Sequence, residues 1–333
     1  MIFVTEYRRS NKQYKTKTIK KTRVKKTPFI IIGLLFLLIA FIIYNVSSYR
    51  AGLDETDDKQ SAVEHNIQMD QNSDGKMTVL LIGHDRVVDN VARADTIMIG
   101  QYDFINKKAK IMPIMRDSVF DIPGYRDYKI NSAYSLGGPE LLSKTIEHNL
   151  NIHIDHYAIV NYNAFEHVVD TVAPNGVHIN VEKTMSKGID MTLEQGDQRL
   201  NGTELLRYAR FRQDSEGDFG RVRRQQQVLS ALKDEALSVH TIFKLPKTLG
   251  IARGYIDTDM SNYEMSKALL SFIVRSDKDI DTMQIPVENS YQIIDHPELG
   301  AVLDIDVEMN KRAVDEFLNR EDNGEITRNN KKR

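Results

Sequence analysis

Arginine is the residue whose type and spacing say most about chemistry in this 333-residue chain, because it recurs beside aspartate and glycine where elements should end. Guanidinium groups stay charged and fork onto phosphate oxygens through paired N–H donors. In YARFRQDSEGDFGRVRRQQQ, Arg210 and Arg212 close one expected helix, an acidic turn follows, and Arg221, Arg224 and Gln225 open the next. Spacings of three and four put these last residues on one helical face. They also fall in an expected first turn, where unpaired N–H groups and the helix dipole favour an anion. A solvated surface, with the arginines paired to Glu204, Asp214, Glu216 and Asp218, is the competing reading.

Two carboxylates point to related chemistry. LLIGHDR delivers Asp85 just past an expected strand end, and RADT delivers Arg93 and Asp95 just before the next strand. Paired aspartates without His or Cys suit a hard cation, Mg²⁺ or alternatively Mn²⁺, which keeps waters and bridges phosphate oxygens. Capping of loops is the simpler role for either aspartate alone. Arg116 and Asp117 follow a third apolar run, with Asp117 either a site residue or only the group that orients Arg116. The chain has no cysteine, which removes disulfides and thiolate chemistry. His84, His153, His156 and His178 lack a metal-ligand spacing such as HExxH, and neither GxSxG nor a phosphate-loop motif occurs. They read as ordinary surface or core histidines.

The elements that must position these groups are legible as short apolar runs between polar loops. MTVLLIG, TIMIGQY and KIMPIM read as buried central strands, and YAIV and GVHINV as further strands. PELLSKTIEHNL opens with a proline and carries Leu141, Leu142, Thr145, Ile146 and Leu150 along one stripe, as a helix packed on a sheet would. Helices are expected around Ala164 to Val172, Thr203 to Phe211 and Arg221 to Leu237. From Ile242 to Leu318 helical patterns dominate, with a strand near Met283 to Ile285 and a last helix from Asn310 to Leu318. Strands alternating with helices make an α/β architecture with helices on both faces of the sheet.

The formal net charge of -2 conceals a split. Residues 1–50 hold eleven Lys or Arg and the single acid Glu6, leaving 34 basic against 46 acidic residues in the remainder. Between the halves lies FIIIGLLFLLIAFIIY, Phe29 to Tyr44, which reaches bilayer length with its uncharged neighbours. Ten basic residues precede it and Asp54, Glu55, Asp57 and Asp58 follow, so the positive-inside rule puts the N-terminus in the cytoplasm. The expected organisation is a basic cytoplasmic tail (1–28), a transmembrane signal anchor (29–48), an extracellular linker (49–76), an extracellular domain (77–320) and a disordered tail (321–333). This describes a single-pass type II protein of the cell membrane. An acidic domain repels nucleic acid on average, and a 28-residue tail is too short for a packed DNA-binding domain, so no direct nucleic-acid partner is expected.

Taken in order, LLIGHDR, RADTIMI, MRDSVFDIPGY, KINSAYSLGGPELL, Ile154-Asp155 with Tyr157-Ala158, and LLRYARFRQDSEGDFGRVRRQQQ resemble the motif series of the LytR-CpsA-Psr family over about residues 77–232. The resemblance implies a three-layer α/β/α domain with a central mixed sheet, behind one N-terminal transmembrane helix. It implies a phosphotransferase that moves an anionic glycopolymer, wall teichoic acid or similar, from polyprenyl pyrophosphate to peptidoglycan. Asp85 and Asp95 would hold magnesium, and Arg93, Arg116, Arg210, Arg212, Arg221 and Gln225 would contact the pyrophosphate, with Arg224 a further addition. Asp85 is also a candidate base, a role that metal ligation would weaken by lowering its pKa. The sequence departs from the family pattern at His84, where a small or apolar residue is usual, and at Met115, where proline commonly precedes the Arg-Asp pair. Two other functions fit the same residues: a membrane-bound regulator acting indirectly through the envelope, and a pyrophosphatase that uses water as acceptor.

Overall fold

The computed structural model describes residues 40, 43–54, 69, 75–84, 93–236, 245–275 and 280–319. Asp85, nearly all of the apolar run from Phe29, and residues 320–333 lie outside the described residues. Among the described residues no helix is long and apolar enough to cross a membrane.

The strands in chain order are β1 (Lys76–His84), β2 (Ala94–Asp103), β3 (Lys108–Ile114), β4 (Val119–Asp121), β5 (Asp127–Lys129), β6 (His156–Asn161), β7 (Val177–Val181), β8 (Gly196–Leu200), β9 (Ile256–Thr258), β10 (Asp281–Thr282), β11 (Tyr291–His296) and β12 (Gly300–Ile305). The helices are α1 (43–54), α2 (Ile130–Leu150), α3 (Tyr162–Val172), α4 (Gly202–Arg210), α5 (Gly217–Ala236), α6 (Leu245–Tyr255), α7 (Asn262–Arg275) and α8 (Val307–Asn319). Six strands form the central sheet in the order β10-β3-β2-β1-β6-β9. It is mixed: β1 runs antiparallel to β2 and parallel to β6.

The three apolar runs read as central strands are β1, β2 and β3, and their alternation assigns the two faces of the sheet. Leu80, Ile82, Ile97, Ile99, Met112 and Ile114 face one way and pack with Leu142, Ile146 and Leu150 of α2. On the other face the Tyr102 hydroxyl donates to the Ser271 carbonyl of α7 at 2.9 Å, and Val160 packs with Ile251 and Tyr255 of α6. Helices therefore cover both faces, as expected.

Register brings the chemistry-bearing ends to one edge. A bulge at Gly83/His84 pairs His84 with Ala94, and the parallel neighbour pairs His84 with Asn161. Ile97 of β2 pairs with Ile114, the last residue of β3. The start of β2 with Asp95, the exit of β3 into Arg116 and the passage from β6 into Tyr162 thus lie side by side. Open sheets bind ligands beyond such strand ends.

Several elements differ from their sequence reading. Helix α2 begins at Ile130 and breaks at Gly137 and Gly138, the latter at φ 65°, so Pro139 starts the second segment of a kinked helix. Helix α5 begins at Gly217, four residues before Arg221, because Asp214 accepts the Glu216 and Gly217 N–H groups at 3.1 Å each. Arg221 is therefore not in a first turn. The hairpin of β11 and β12 stands where helix was expected, and β8 pairs with β7 although its GDQRL sequence carries almost no strand signal. Residues 49–54, read as linker, continue helix α1, and Gly52 meets Gly250 of α6 so closely that a Cβ on Gly52 would lie 2.3 Å from the Lys247 carbonyl oxygen.

A candidate anion site built on arginine

Asp95 and Arg116 are joined directly, Arg116 donating from Nη1 to Asp95 Oδ1. The exit from β3 holds the guanidinium further: its Nε lies 3.5 Å from Asp117 Oδ2, while Lys129 Nζ at the end of β5 reaches the other Asp117 oxygen at 3.0 Å. Asp117 thus orients Arg116 and is shared with Lys129. Burial alone would lower the Arg116 pKa, but Asp95, Asp117 and Asp218 outweigh it and raise it.

Arg221 approaches from α5 and is nearly buried, with 8% of its side chain exposed. Its Nη2 pairs with Asp218, one turn earlier, at 2.9 Å. Its pKa is lowered, first by burial and then, after the opposing pull of Asp218, by the positive charge of Arg116. Two arginines facing one another in a poorly solvated corner are electrostatically unfavourable without an anion. The Nε groups of both Arg116 and Arg221 are buried and have no hydrogen-bond acceptor. Buried donors left open are uncommon and call for a partner. A phosphate oxygen can supply the hydrogen-bond acceptor that these two Nε groups lack, although both guanidinium groups already have carboxylate partners.

Gln225, one turn beyond Arg221, donates to the Thr96 hydroxyl at 3.0 Å and ties α5 to the start of β2. Arg210 ends α4 with its guanidinium 4.2 Å from the centre of the Tyr162 ring, and the Tyr162 hydroxyl lies 3.5 Å from Asp95 Oδ2. Arg93 and Arg212 are exposed. The structure therefore brings together Asp95, Arg116, Arg210, Arg221 and Gln225. Sequence reasoning missed Tyr162, Lys129 and Thr96 as site neighbours, and named Asp218 only as a surface partner for the arginines. Tyr162 could have been found from the Asn161 cap that opens α3, its side chain accepting from Ala164 N–H at 2.8 Å.

Arg224 does not join this group. One helix residue turns the chain by about 100°, so only Arg221 and Gln225 of the expected face point to the site. Arg224 is fully buried, donates to the Phe211 carbonyl at 2.9 Å and to Glu182 at 2.9 Å, and pairs with Asp214. Lys183 also reaches Asp214 at 3.0 Å, and Arg223 grips Glu182 and Glu216. Of the ion pairs in the competing reading, Arg221 with Asp218 and Arg224 with Asp214 are present and Arg223 adds one to Glu216, but Arg224 is buried rather than on a solvated surface. The carboxylates of Glu182, Asp214 and Glu216 lie together, but these cations already neutralise them. Their network fixes the turn from Arg210 to Arg221.

For a divalent cation the donor chemistry fits in part. Asp95 offers a partly exposed carboxylate, one oxygen engaged by Arg116 and the other with only the weak contact to Tyr162. Asp85, its expected companion, lies outside the described residues.

The model of the LytR_cpsA_psr family matches residues 41–307. The regulatory protein MsrR of Staphylococcus aureus strain COL is 47% identical over 278 residues, 83% of this chain and 85% of that protein. A polyisoprenyl-teichoic acid–peptidoglycan teichoic acid transferase, TagU of Oceanobacillus iheyensis, is 32% identical over 279 residues, 78% of this chain and 85% of that protein. A solved structure of TagT bound to LIIa-WTA superposes with a TM-score of 0.61 at 25% identity, covering 79% of this chain and 96% of that one. With the family model spanning most of the chain and a near relative aligned along most of both lengths, this protein belongs to the LytR-CpsA-Psr family.

Proposed function

We propose that this protein is a phosphotransferase that attaches a polyprenyl-pyrophosphate-linked anionic glycopolymer, wall teichoic acid or a similar polymer, to peptidoglycan on the outer side of the cell membrane. At family level, teichoic acid–peptidoglycan transfer is supported by the relatives named as transferases. The observation that carries the finer reading is that Arg116 and Arg221 feel each other's charge at one corner and that the Nε atom of each is buried without a hydrogen-bond acceptor. Such a pair suits the bridging and terminal oxygens of a pyrophosphate.

Phosphoryl transfer needs positioning and charge stabilisation more than covalent help from the protein. An acceptor hydroxyl of peptidoglycan forms the new P–O bond and loses its proton, while the bond to polyprenyl phosphate breaks and that phosphate leaves. Arg116, Arg210 and Arg221 hold the oxygens on which charge accumulates, with Gln225 keeping α5 against β2, and Arg93 and Arg212 reaching in from the exposed rim. Asp95, together with Asp85, would hold Mg²⁺ or Mn²⁺, which would supply further neutralisation of phosphate charge. Membrane lipid is the reservoir of the substrate, which matches a type II anchor at residues 29–48 and an external domain.

A regulator without transferase activity, the reading that the MsrR relative's name invites, makes no use of these arginines. Mass spectrometry of lipid extracted from the full-length protein purified in mild detergent separates the two. The transferase reading expects a polyprenyl-pyrophosphate species that is lost in Arg116→Ala. A wild-type preparation from cells making the polymer that carries no more of this lipid than the variant contradicts it. A pyrophosphatase would release free polymer when given the lipid substrate without peptidoglycan.

A further inference from the structure

Tyr162 touches both the arginine side and the carboxylate side of the candidate site. It is the first residue of α3, set at the end of β6 by the cap from Asn161. Its ring face lies under the Arg210 guanidinium at 4.2 Å, and its hydroxyl is 3.5 Å from Asp95 Oδ2, the oxygen that Arg116 leaves free. Its phenol also lies within the electrostatic reach of Arg221. A guanidinium stacked on an aromatic face keeps its edge N–H donors directed outward, where a planar anion can meet them. The hydroxyl contact is at the limit of a hydrogen bond and adds little by itself.

We propose that Tyr162 is a positioning residue: its ring is the platform that presents Arg210 to the pyrophosphate, and it acts through Arg210 rather than on the substrate. This rests on the pyrophosphate reading of the site. The ring, not the hydroxyl, carries the effect. Arg210 ends its helix, where the last turn has the fewest backbone restraints, so a platform for its side chain matters more there than in a helix interior.

The test is a double-mutant cycle on binding of inorganic pyrophosphate with Mg²⁺, followed by calorimetry on full-length protein in detergent. Tyr162→Leu should weaken binding about threefold to thirtyfold, the range expected when a cation loses an aromatic face, whereas Tyr162→Phe should stay within about twofold of wild type. Once Arg210→Ala is present, adding Tyr162→Leu should cost almost nothing more. A double variant that loses the full product of the two single factors overturns the proposal, as does a Tyr162→Leu protein that binds like wild type. A wild-type protein that does not bind pyrophosphate overturns the site reading together with this proposal. Should Tyr162→Leu melt far below wild type, Tyr162→Met takes its place in the cycle.

Discussion

Arg221 and Arg224 are the same residue type three positions apart, yet one stands in a strained corner of the site and the other neutralises a buried acidic cluster. Removing Arg224 leaves the Phe211 carbonyl without its donor and Glu182 and Asp214 with only Arg223 and Lys183, so Arg224→Ala should cost about 1–3 kcal/mol of stability. Arg221→Ala breaks the pair with Asp218 but relieves repulsion with Arg116, which stays near Asp218, so it should cost only about 1 kcal/mol while abolishing pyrophosphate binding. Urea titrations of both variants check this contrast, and equal losses would refute the division of labour. Helical spacing made the wrong grouping attractive, because positions 221, 224 and 225 look like one face until the carboxylates on either side are known. The acidic partner Glu182 lies some forty residues away in sequence, and no local pattern announces it. His156 shows the same limit: the sequence left it as an ordinary surface or core histidine, whereas it is buried 3.3 Å from Asp259. Burial would lower its pKa, yet Asp259, Glu264 and Asp155 raise it above the ordinary 6.5. The charged form is therefore favoured by folding, and its contribution is complete below pH 6.5 and lost as pH rises through the higher folded value. Thermal melts should show wild type losing stability over that range relative to His156→Gln, and parallel curves for the two proteins would contradict it.

At the scale of elements, the site depends on how closely α4 lies against α3, since α4 carries Arg210 and α3 carries Tyr162. Gly202, the first residue of α4, sits where a Cβ would lie 2.3 Å from the Glu166 carbonyl oxygen, and its N–H donates to Asp170 at 2.7 Å. Gly202→Ala must push the helices apart, at a cost of about 1–3 kcal/mol for overpacking. It should also weaken pyrophosphate binding although it touches no ligand; unchanged melting and binding would show that the close approach is dispensable. The central strands, the second segment of α2, and α3 and α4 were readable from their apolar runs, helped in α3 and α4 by local caps, as at Asn201, where the side chain takes Glu204 N–H and Glu204 answers in return. The β11–β12 hairpin was not, because β11 is largely exposed and shows little strand alternation. The start of α5 was misplaced because GDFG reads as turn, while Asp214 in fact caps a helix already under way.

For the whole molecule, the proposed topology follows from the charge split around residues 29–48 under the positive-inside rule, and it places the domain outside the membrane. Protease added to intact protoplasts should remove the domain, and its full protection behind a sealed membrane would reverse the orientation. The family, the mixed sheet and the grouping of Asp95 with Arg116, Arg210 and Arg221 were legible from ordered motifs at strand and helix ends. The open Nε donors, the Tyr162 platform and the inward turn of Arg224 were not, because each depends on contacts between distant segments. The measurement that tests the central claim most directly is transfer of lipid-linked polymer to peptidoglycan by full-length wild type, Arg116→Ala, Arg221→Ala and Arg223→Ala in the presence of Mg²⁺. Loss of one preorganised charge contact should cost roughly 3 kcal/mol, about a hundredfold in rate, whereas a surface ion pair is worth under about 1 kcal/mol. Wild type should transfer polymer, Arg116→Ala and Arg221→Ala should fall about a hundredfold while remaining folded, and Arg223→Ala should keep most of the activity. Near-normal transfer by both site variants would contradict the account.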